Sequence, residues 1–303
     1  MIIYEKNKSR TWAEVSIRHP SELTEAVTSF LFENGAQAVV QEESSGLVIS
    51  KAGFGTSDPP PGLDLELEAF LADLVKIFSL TSRPAFEWRT VSRGDWAEKW
   101  KQGLDPIEVG SRLVVKPTWC EYPGGPDQVV LNLDPGLAFG TGHHATTFHC
   151  LEGVEAYFSD LGRANARVLD VGTGSGILAM AAAALGQGRV VALDIDPDVM
   201  PVAARNLALN RLTDRVFLLC ADPAALKARF DLIMANLYRD ELMRLASTLV
   251  SLGAPGARWL LSGILVDQAE EVAECFISLG LELRLRSAKG EWVTLTMETN
   301  EKA

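Results

Sequence analysis

The run Val168-Leu169-Asp170-Val171-Gly172-Thr173-Gly174-Ser175-Gly176 constrains this chain more tightly than any other stretch. Its first four residues read as a short buried strand. Glycines at 172, 174 and 176 then allow backbone angles closed to other residues, so the chain can pass close to a ligand and turn into a helix N-terminus. An Ala-rich helix follows, ending near Leu185. The pattern then repeats: 190–193, 216–219 and 230–234 read as strands, 197–210 as a helix, and 259–262 and 292–297 as late strands around a helix over 267–279. Such alternation predicts an α/β fold with a doubly wound, mainly parallel sheet. A dinucleotide site is the first rival. Its G-x-G-x-x-G pattern needs a glycine where Ile177 stands, and it does not require Asp170.

The chain of 303 residues is long enough for two compact units. Residues 1–90 alternate in a different order. Trp12, Val15 and Ile17 mark a strand stopped by His19-Pro20. Ser21 is placed to cap a helix whose Leu23, Ala26, Val27, Phe30 and Leu31 share one face and which ends at Gly35. Ala38-Val39-Val40 and Leu47-Val48-Ile49 read as strands around a polar turn at 42–46. After the loop Asp58-Pro59-Pro60-Pro61-Gly62, a helix over 64–78 carries Leu67, Phe70, Leu71, Leu74 and Phe78, and Phe86-Glu87-Trp88 begins another strand. The order β-α-β-β-α-β predicts a smaller ferredoxin-like α+β domain over 1–90. Residues 91–104 read as a polar linker helix with Trp96 and Trp100 on one face, to dock it on a neighbouring domain or to meet a partner. A second domain then spans 106–303, where 113–115 and 129–131 look like strands joined by a turn at 122–127.

Charge and cysteine usage narrow the class. The net charge is −12, with no basic tract, which weighs against DNA and nucleic acid generally as a partner. Residues 1–90 hold 8 basic and 13 acidic side chains, a net of −5, so both halves are acidic and suit a cationic protein partner. Cys120, Cys150, Cys220 and Cys275 show no metal-ligand spacing and are expected to be buried free thiols; no metal is expected. The longest apolar run, over 177–185, falls far short of the roughly 20 residues that span a bilayer, and the N-terminus lacks a signal-peptide core. A cytoplasmic protein, with no membrane partner, is the expectation.

Other residues join the glycine run. Asp194 closes the next strand, 22 residues after Gly172, where a carboxylate can accept hydrogen bonds from both hydroxyls of an adenosyl ribose. Asp196 is a competitor that can instead cap the helix behind Pro197. The loop, with its leading Asp170, resembles the first motif of Rossmann-like, S-adenosylmethionine-dependent methyltransferases. That resemblance implies S-adenosyl-L-methionine as cofactor, on Gly172, Gly174 and Gly176. It also makes Asp222, after the third strand, a contact to the adenine amino group; a cap before Pro223 is the alternative. Ala235-Asn236-Leu237-Tyr238, after the fourth strand, resembles the N-P-P-Y loop of methyltransferases acting on amines, with Leu in place of the first Pro. An Asn carbonyl there accepts from an amine and aims its lone pair; the alternative is an ordinary left-handed turn residue.

The segment Asp134-Pro135-Gly136-Leu137-Ala138-Phe139-Gly140-Thr141-Gly142-His143-His144-Ala145-Thr146-Thr147 reads from composition as a Gly-rich loop opening a helix at about Ala145. Together with Trp96, Trp100, Pro106, Gly110, Pro117, Trp119, Ser262-Gly263-Ile264-Leu265 and Glu291-Trp292, it resembles the bacterial ribosomal protein L11 methyltransferase family over nearly the whole chain. The family has a ferredoxin-like N-terminal domain that recognises the ribosomal substrate, a linker helix, and a class I methyltransferase domain.

By position, the resemblance puts Thr147, Gly172, Asp194 and Asn236 on the cofactor, with Phe139, Gly140, Thr141 and Gly142 bordering the methyl-transfer pocket. His144 matches a family position, whereas His143 and Ala145 depart from the pattern. The implied reaction transfers methyl groups to lysine side-chain and N-terminal amines of ribosomal protein L11. The acceptor must be neutral, which for a lysine at pH 7 costs about 4.6 kcal/mol. Another protein's lysines, a catalytically idle cofactor-binding assembly protein, a nicotinamide oxidoreductase and a nucleic-acid N-methyltransferase are the competing readings.

Overall fold

The computed structural model describes residues 11–36, 38–44, 47–78, 80, 82–92, 105–134, 144–159 and 163–299. The chain divides into two compact units, Met1–Gly103 and Leu104–Ala303.

The first unit runs β1 (Thr11–Pro20), α1 (Thr24–Glu33), β2 (Ala38–Ser44), β3 (Leu47–Phe54), α2 (Leu63–Ile77) and β4 (Ala85–Ser92). The strands are antiparallel in the order β2-β3-β1-β4, the ferredoxin-like arrangement. Alternation in β1 sends Ala13, Val15 and Ile17 to one face, where they meet Val27 and Leu31 of α1 and Leu67, Leu71 and Leu74 of α2. Each such leucine, fully withdrawn from water, contributes roughly 1.5–3 kcal/mol.

Three local expectations change. Ser21 makes no cap, because a 3-10 turn over Ser21–Leu23 precedes α1 and takes that residue into its own backbone bonding. β2 extends through Ser44 into the expected turn, since its pairing with β3 continues to Ser44↔Leu47. Val91 and Ser92 are strand, not helix, because β1 offers them Trp12 and Thr11 as partners. The rest of the expected linker helix, with Trp96 and Trp100, lies outside the described residues.

The second unit opens with a three-stranded sheet: β5 (Ile107–Val109), β6 (Leu113–Pro117) and β7 (Val129–Leu133). β6 and β7 run parallel, so residues 118–128 carry the chain back along the sheet and do not form a simple turn. Helix α3 (Ala145–Phe158) follows, and its buried Glu155 accepts from Ser111 N, Ser111 Oγ and Arg112 N at 2.8, 3.0 and 3.1 Å.

The main sheet contains β8 (Val168–Val171), β9 (Val190–Asp194), β10 (Val216–Cys220), β11 (Phe230–Asn236), β12 (Gly253–Leu265), β13 (Leu281–Lys289) and β14 (Trp292–Thr299). Its order is β10-β9-β8-β11-β12-β14-β13, parallel except that β14 runs against both neighbours. Helices α4 (Ile177–Leu185) and α5 (Met200–Leu209) lie with α3 on one face; α6 (Arg239–Ser251) and α7 (Ala269–Ser278) cover the other. In β8, Val168 enters the first core and Leu169 the second, which is the signature of a doubly wound sheet. The chain leaves β8 and β11 in opposite directions. Their carboxyl ends therefore flank the crevice where such sheets bind ligands.

Candidate functional site

The glycine loop is built from positive backbone angles. Gly172, Gly174 and Gly176 have φ of 73°, 50° and 83°. A side chain at 172 is also excluded by space, because a Cβ there would lie 2.4 Å from Leu237 Cδ2. Gly172 N and Thr173 N both donate to Leu193 O, at 2.9 and 3.0 Å, which fastens the loop to the end of β9.

Beneath the loop, Asp170 is buried. Its Oδ2 accepts from Thr173 Oγ1 at 2.6 Å and from Ala179 N at 3.2 Å, while Oδ1 has no partner. Burial pushes this carboxyl up to about 7, against the two hydrogen bonds that favour its charged form.

Asp194 stands at the last position of β9, as its spacing predicted. Its Oδ2 accepts from Gly174 N at 3.0 Å and its Oδ1 from Asp196 N at 3.1 Å. A carboxylate has further lone pairs, so these bonds hold it beside the glycine loop without exhausting it. Asp196 accepts from Asp198 N at 2.8 Å and so caps the turn that precedes α5, not the helix itself. Asp222 Oδ1 accepts from Ala224 N at 2.8 Å, which is the capping alternative; its other oxygen lies 3.8 Å from Arg244 Nη1.

Asn236 is still strand. It pairs with Ser262 of β12, one residue beyond the last β8–β11 partner, and it is not in the left-handed region. Its Nδ2 donates to Thr147 Oγ1 at 3.4 Å, which leaves the carbonyl oxygen of the same amide for another donor. Thr147 is buried in the first turn of α3. That turn is anchored from beneath: Thr294 and Ser262 hydroxyls lie 2.6 Å apart, and Ser262 Oγ donates to Thr146 O at 3.3 Å. Gly263 (φ 84°) lets β12 pass the backbone of Leu237, where a Cβ would come within 2.4 Å of the Leu237 carbonyl oxygen.

His144 precedes α3, within 2.8 Å of Thr146 Oγ1 through Nδ1. Its ring meets Trp292 edge-on at 4.9 Å, and burial lowers its pKa. Phe139, Gly140, Thr141, Gly142 and His143 lie outside the described residues. Among the described residues no three His, Cys, Asp or Glu side chains gather as metal ligands, and no helix is long and apolar enough to cross a membrane. The cysteines depart from expectation: Cys150 is buried, with its thiol pushed up to about 12, but Cys220 is exposed and Cys120 and Cys275 are half-buried. Position decides this and not residue type: Cys220 ends β10, Cys120 lies in the turn after β6, and Cys275 is on α7.

Gly172, Asp194, Asn236 and Thr147 thus come together from β8, β9, β11 and α3. The residues fit S-adenosylmethionine: a run of three positive-φ glycines that keeps the backbone bare, a part-exposed carboxylate one strand away, and an amide and hydroxyl beyond the loop.

The family model for ribosomal protein L11 methyltransferase (PrmA) matches residues 11–300 of this chain. The chain belongs to that family. Relatives in it include the ribosomal protein L11 methyltransferases of Geotalea uraniireducens, 40% identical over 96% of this chain and 99% of that protein, and of Pelobacter propionicus, 40% identical over 94% and 96%. Among solved structures, the ribosomal protein L11 methylase of Lactobacillus delbrueckii subsp. bulgaricus is similar, with TM-score 0.59 and 33% identity over 65% of this chain and 100% of that chain. As a member of the L11 methyltransferase family the chain is an S-adenosylmethionine-dependent methyltransferase with the expected class I domain, and the oxidoreductase reading falls.

Sequence reasoning missed two asparagines, Asn206 in α5 and Asn210 at its C-cap. Asn206 Oδ1 accepts from Asp134 N at 2.9 Å and its Nδ2 donates to Ser175 O at 2.9 Å. Asn210 Oδ1 accepts from Asn132 N at 2.7 Å, and its Nδ2 donates to Asn132 O at 2.7 Å. The available signal was position: Asn206 falls on the helix face that carries Val202, Ala203 and Leu207, where an unpaired amide is costly.

Proposed function

We propose that this methyltransferase acts on lysine side-chain amines, and on the N-terminal amine, of ribosomal protein L11. It works in the cytoplasm, with the N-terminal ferredoxin-like unit (1–90) choosing the substrate, 91–105 linking, and 106–303 catalysing. Neither DNA nor a membrane is part of this reading. The acidic charge of both halves supports a lysine-presenting partner.

In this reading Gly172, Gly174 and Gly176 receive the cofactor, Thr147 and Asp194 hold its ends, and Asp222 takes the adenine edge with the oxygen its cap leaves over. Phe139, Gly140, Thr141 and Gly142 border the acceptor pocket on the strength of the sequence alone. Bound S-adenosylmethionine supplies a methyl group already activated on a positively charged sulfur. The protein's task is therefore to hold a neutral amine in line with it. Asn236 does this by accepting an N–H of the amine, and an uncharged acceptor favours the neutral amine without stabilising its ammonium form.

The observation that carries the reading is the Asn236 amide. It is held in the sheet ladder beside the glycine loop, with its nitrogen committed to Thr147 and its oxygen left to accept. Asn236→Ala is expected to cut kcat with L11 by about 100-fold while S-adenosylmethionine binding weakens far less. Turnover and calorimetry on the same preparation check it. Near-normal turnover rejects the assignment, and methylated lysines mapped by mass spectrometry test the substrate.

A further inference from the structure

We propose that Asn206 is a positioning residue that locks the cofactor loop to the end of β7. The inference rests on the reading that the glycine loop holds S-adenosylmethionine. Asn206 is fully buried, and its one amide joins two backbone segments far apart in sequence. The donor half reaches Ser175 O, the carbonyl just before Gly176, where the loop turns into α4. The acceptor half takes the N–H of Asp134, where the chain leaves β7.

Both atoms are specified. A carbonyl oxygen faces a donor and a peptide carbonyl faces an amide nitrogen, so only a carboxamide of this length satisfies the pair. Aspartate sets an oxygen against Ser175 O, and glutamine is one methylene too long. The loop is also tied to β9, through Leu193 O and Asp194, and to β8, through the bond from Thr173 Oγ1 to Asp170. Asn206 adds a restraint towards β7 and fixes how far the turn at Ser175 stands from it.

Asn210, one helical turn on, is the internal control. It is half-buried at the C-cap of the same helix and bonds both backbone atoms of Asn132 in β7, Asn206 O at 2.7 Å and Met180 Sδ of α4 at 3.3 Å, with none of these bonds going to the glycine loop. A purely structural role predicts that the two residues behave alike. A positioning role predicts that they separate.

The test compares Asn206→Asp and Asn210→Ala in the full-length chain. Thermal unfolding, S-adenosylmethionine Kd by calorimetry, and kcat and KM with L11 are measured for each. Both variants are expected to lower Tm. Only Asn206→Asp is expected to weaken S-adenosylmethionine binding, by about tenfold, with kcat falling in addition at saturating cofactor. Equal effects of the two variants, or a Kd within about twofold of wild type for Asn206→Asp, overturn the proposal.

Residue-resolved amide exchange on the wild-type chain decides the matter independently of whether a variant folds. Adding S-adenosylmethionine is expected to slow exchange at Asp134 more than at Asn132, whose N–H goes to Asn210. Equal change at both amides overturns the proposal. Gly172→Ala separates the two layers: cofactor binding lost there but unmoved in Asn206→Asp rejects the coupling alone. Binding unmoved in Gly172→Ala rejects the site reading and the inference with it.

Discussion

The two units bury polar side chains very differently. Among the described residues the N-terminal unit buries Glu14, His19 and Ser50, and the last two satisfy each other across β1 and β3 at 2.8 Å. The catalytic unit buries nine: Thr146, Thr147, Glu155, Asp170, Thr173, Ser175, Asn206, Ser262 and Thr294. All but Glu155 lie around the carboxyl ends of β8, β11 and β12 or bond to residues that do. A buried polar group is tolerated only where its partners are supplied, so this clustering marks where the fold places polar groups that packing alone does not require. The first unit is held by apolar packing. The second is held by apolar packing at its faces and by a bonded polar lattice at one end.

Three substitutions test that contrast. The largest effect is expected from Gly172→Ala. A left-handed non-glycine residue costs about 1–3 kcal/mol, and the new Cβ must also displace Leu237. Loss of detectable S-adenosylmethionine binding in a chain that still unfolds cooperatively is the expected outcome, read by calorimetry and by circular dichroism. A variant that binds normally breaks the link between the glycine angles and the cofactor.

Next comes Leu67→Ala in the apolar core of the first unit. It is expected to destabilise that unit by about 2–5 kcal/mol while leaving S-adenosylmethionine affinity unchanged. Chemical denaturation and cofactor titration on one sample check both halves. An altered cofactor Kd denies that the two regions divide their tasks.

The smallest effect concerns pH. The Asp170 carboxyl titrates near 7 in the folded chain and near 3.8 when unfolded, so between these values the folded state holds a proton that the unfolded state has released. Stability contributed by the protonated carboxyl therefore falls as pH rises from about 4 towards 7. Asp170→Asn removes that dependence, and its urea midpoint is expected to change less between pH 5 and pH 8 than that of the wild type. Equal slopes for the two proteins reject the assignment.

Much of this was legible in the sequence, because short-range patterns govern it. Period-two and helical spacing set out the β-α-β-β-α-β order and the strands around the glycine loop. Three elements went unassigned: β5, α6 and β13. The Leu281, Leu283 and Leu285 alternation of β13 carried a strand signal, although it lies at the sheet edge with Leu283 and Leu285 exposed. The parallel pairing of β6 and β7 was not legible, since strand direction is settled by partners and not by local pattern. Gly172 and Asp194 declared themselves through residue type and spacing. Asn206 did not, because its partners are backbone atoms 31 and 72 residues away, which any sequence would supply.

Asn236 sits in the ladder of a sheet seven strands wide, so its amide is a fixed address and not a moving hand. Acceptors of differing shape cannot be met by swinging that side chain towards them. Each amine must be carried to the same point in space. An engineer who wants a new substrate should leave the strand untouched and rebuild whatever delivers the amine, and a chain that modifies several amines in turn must let its cargo do the travelling.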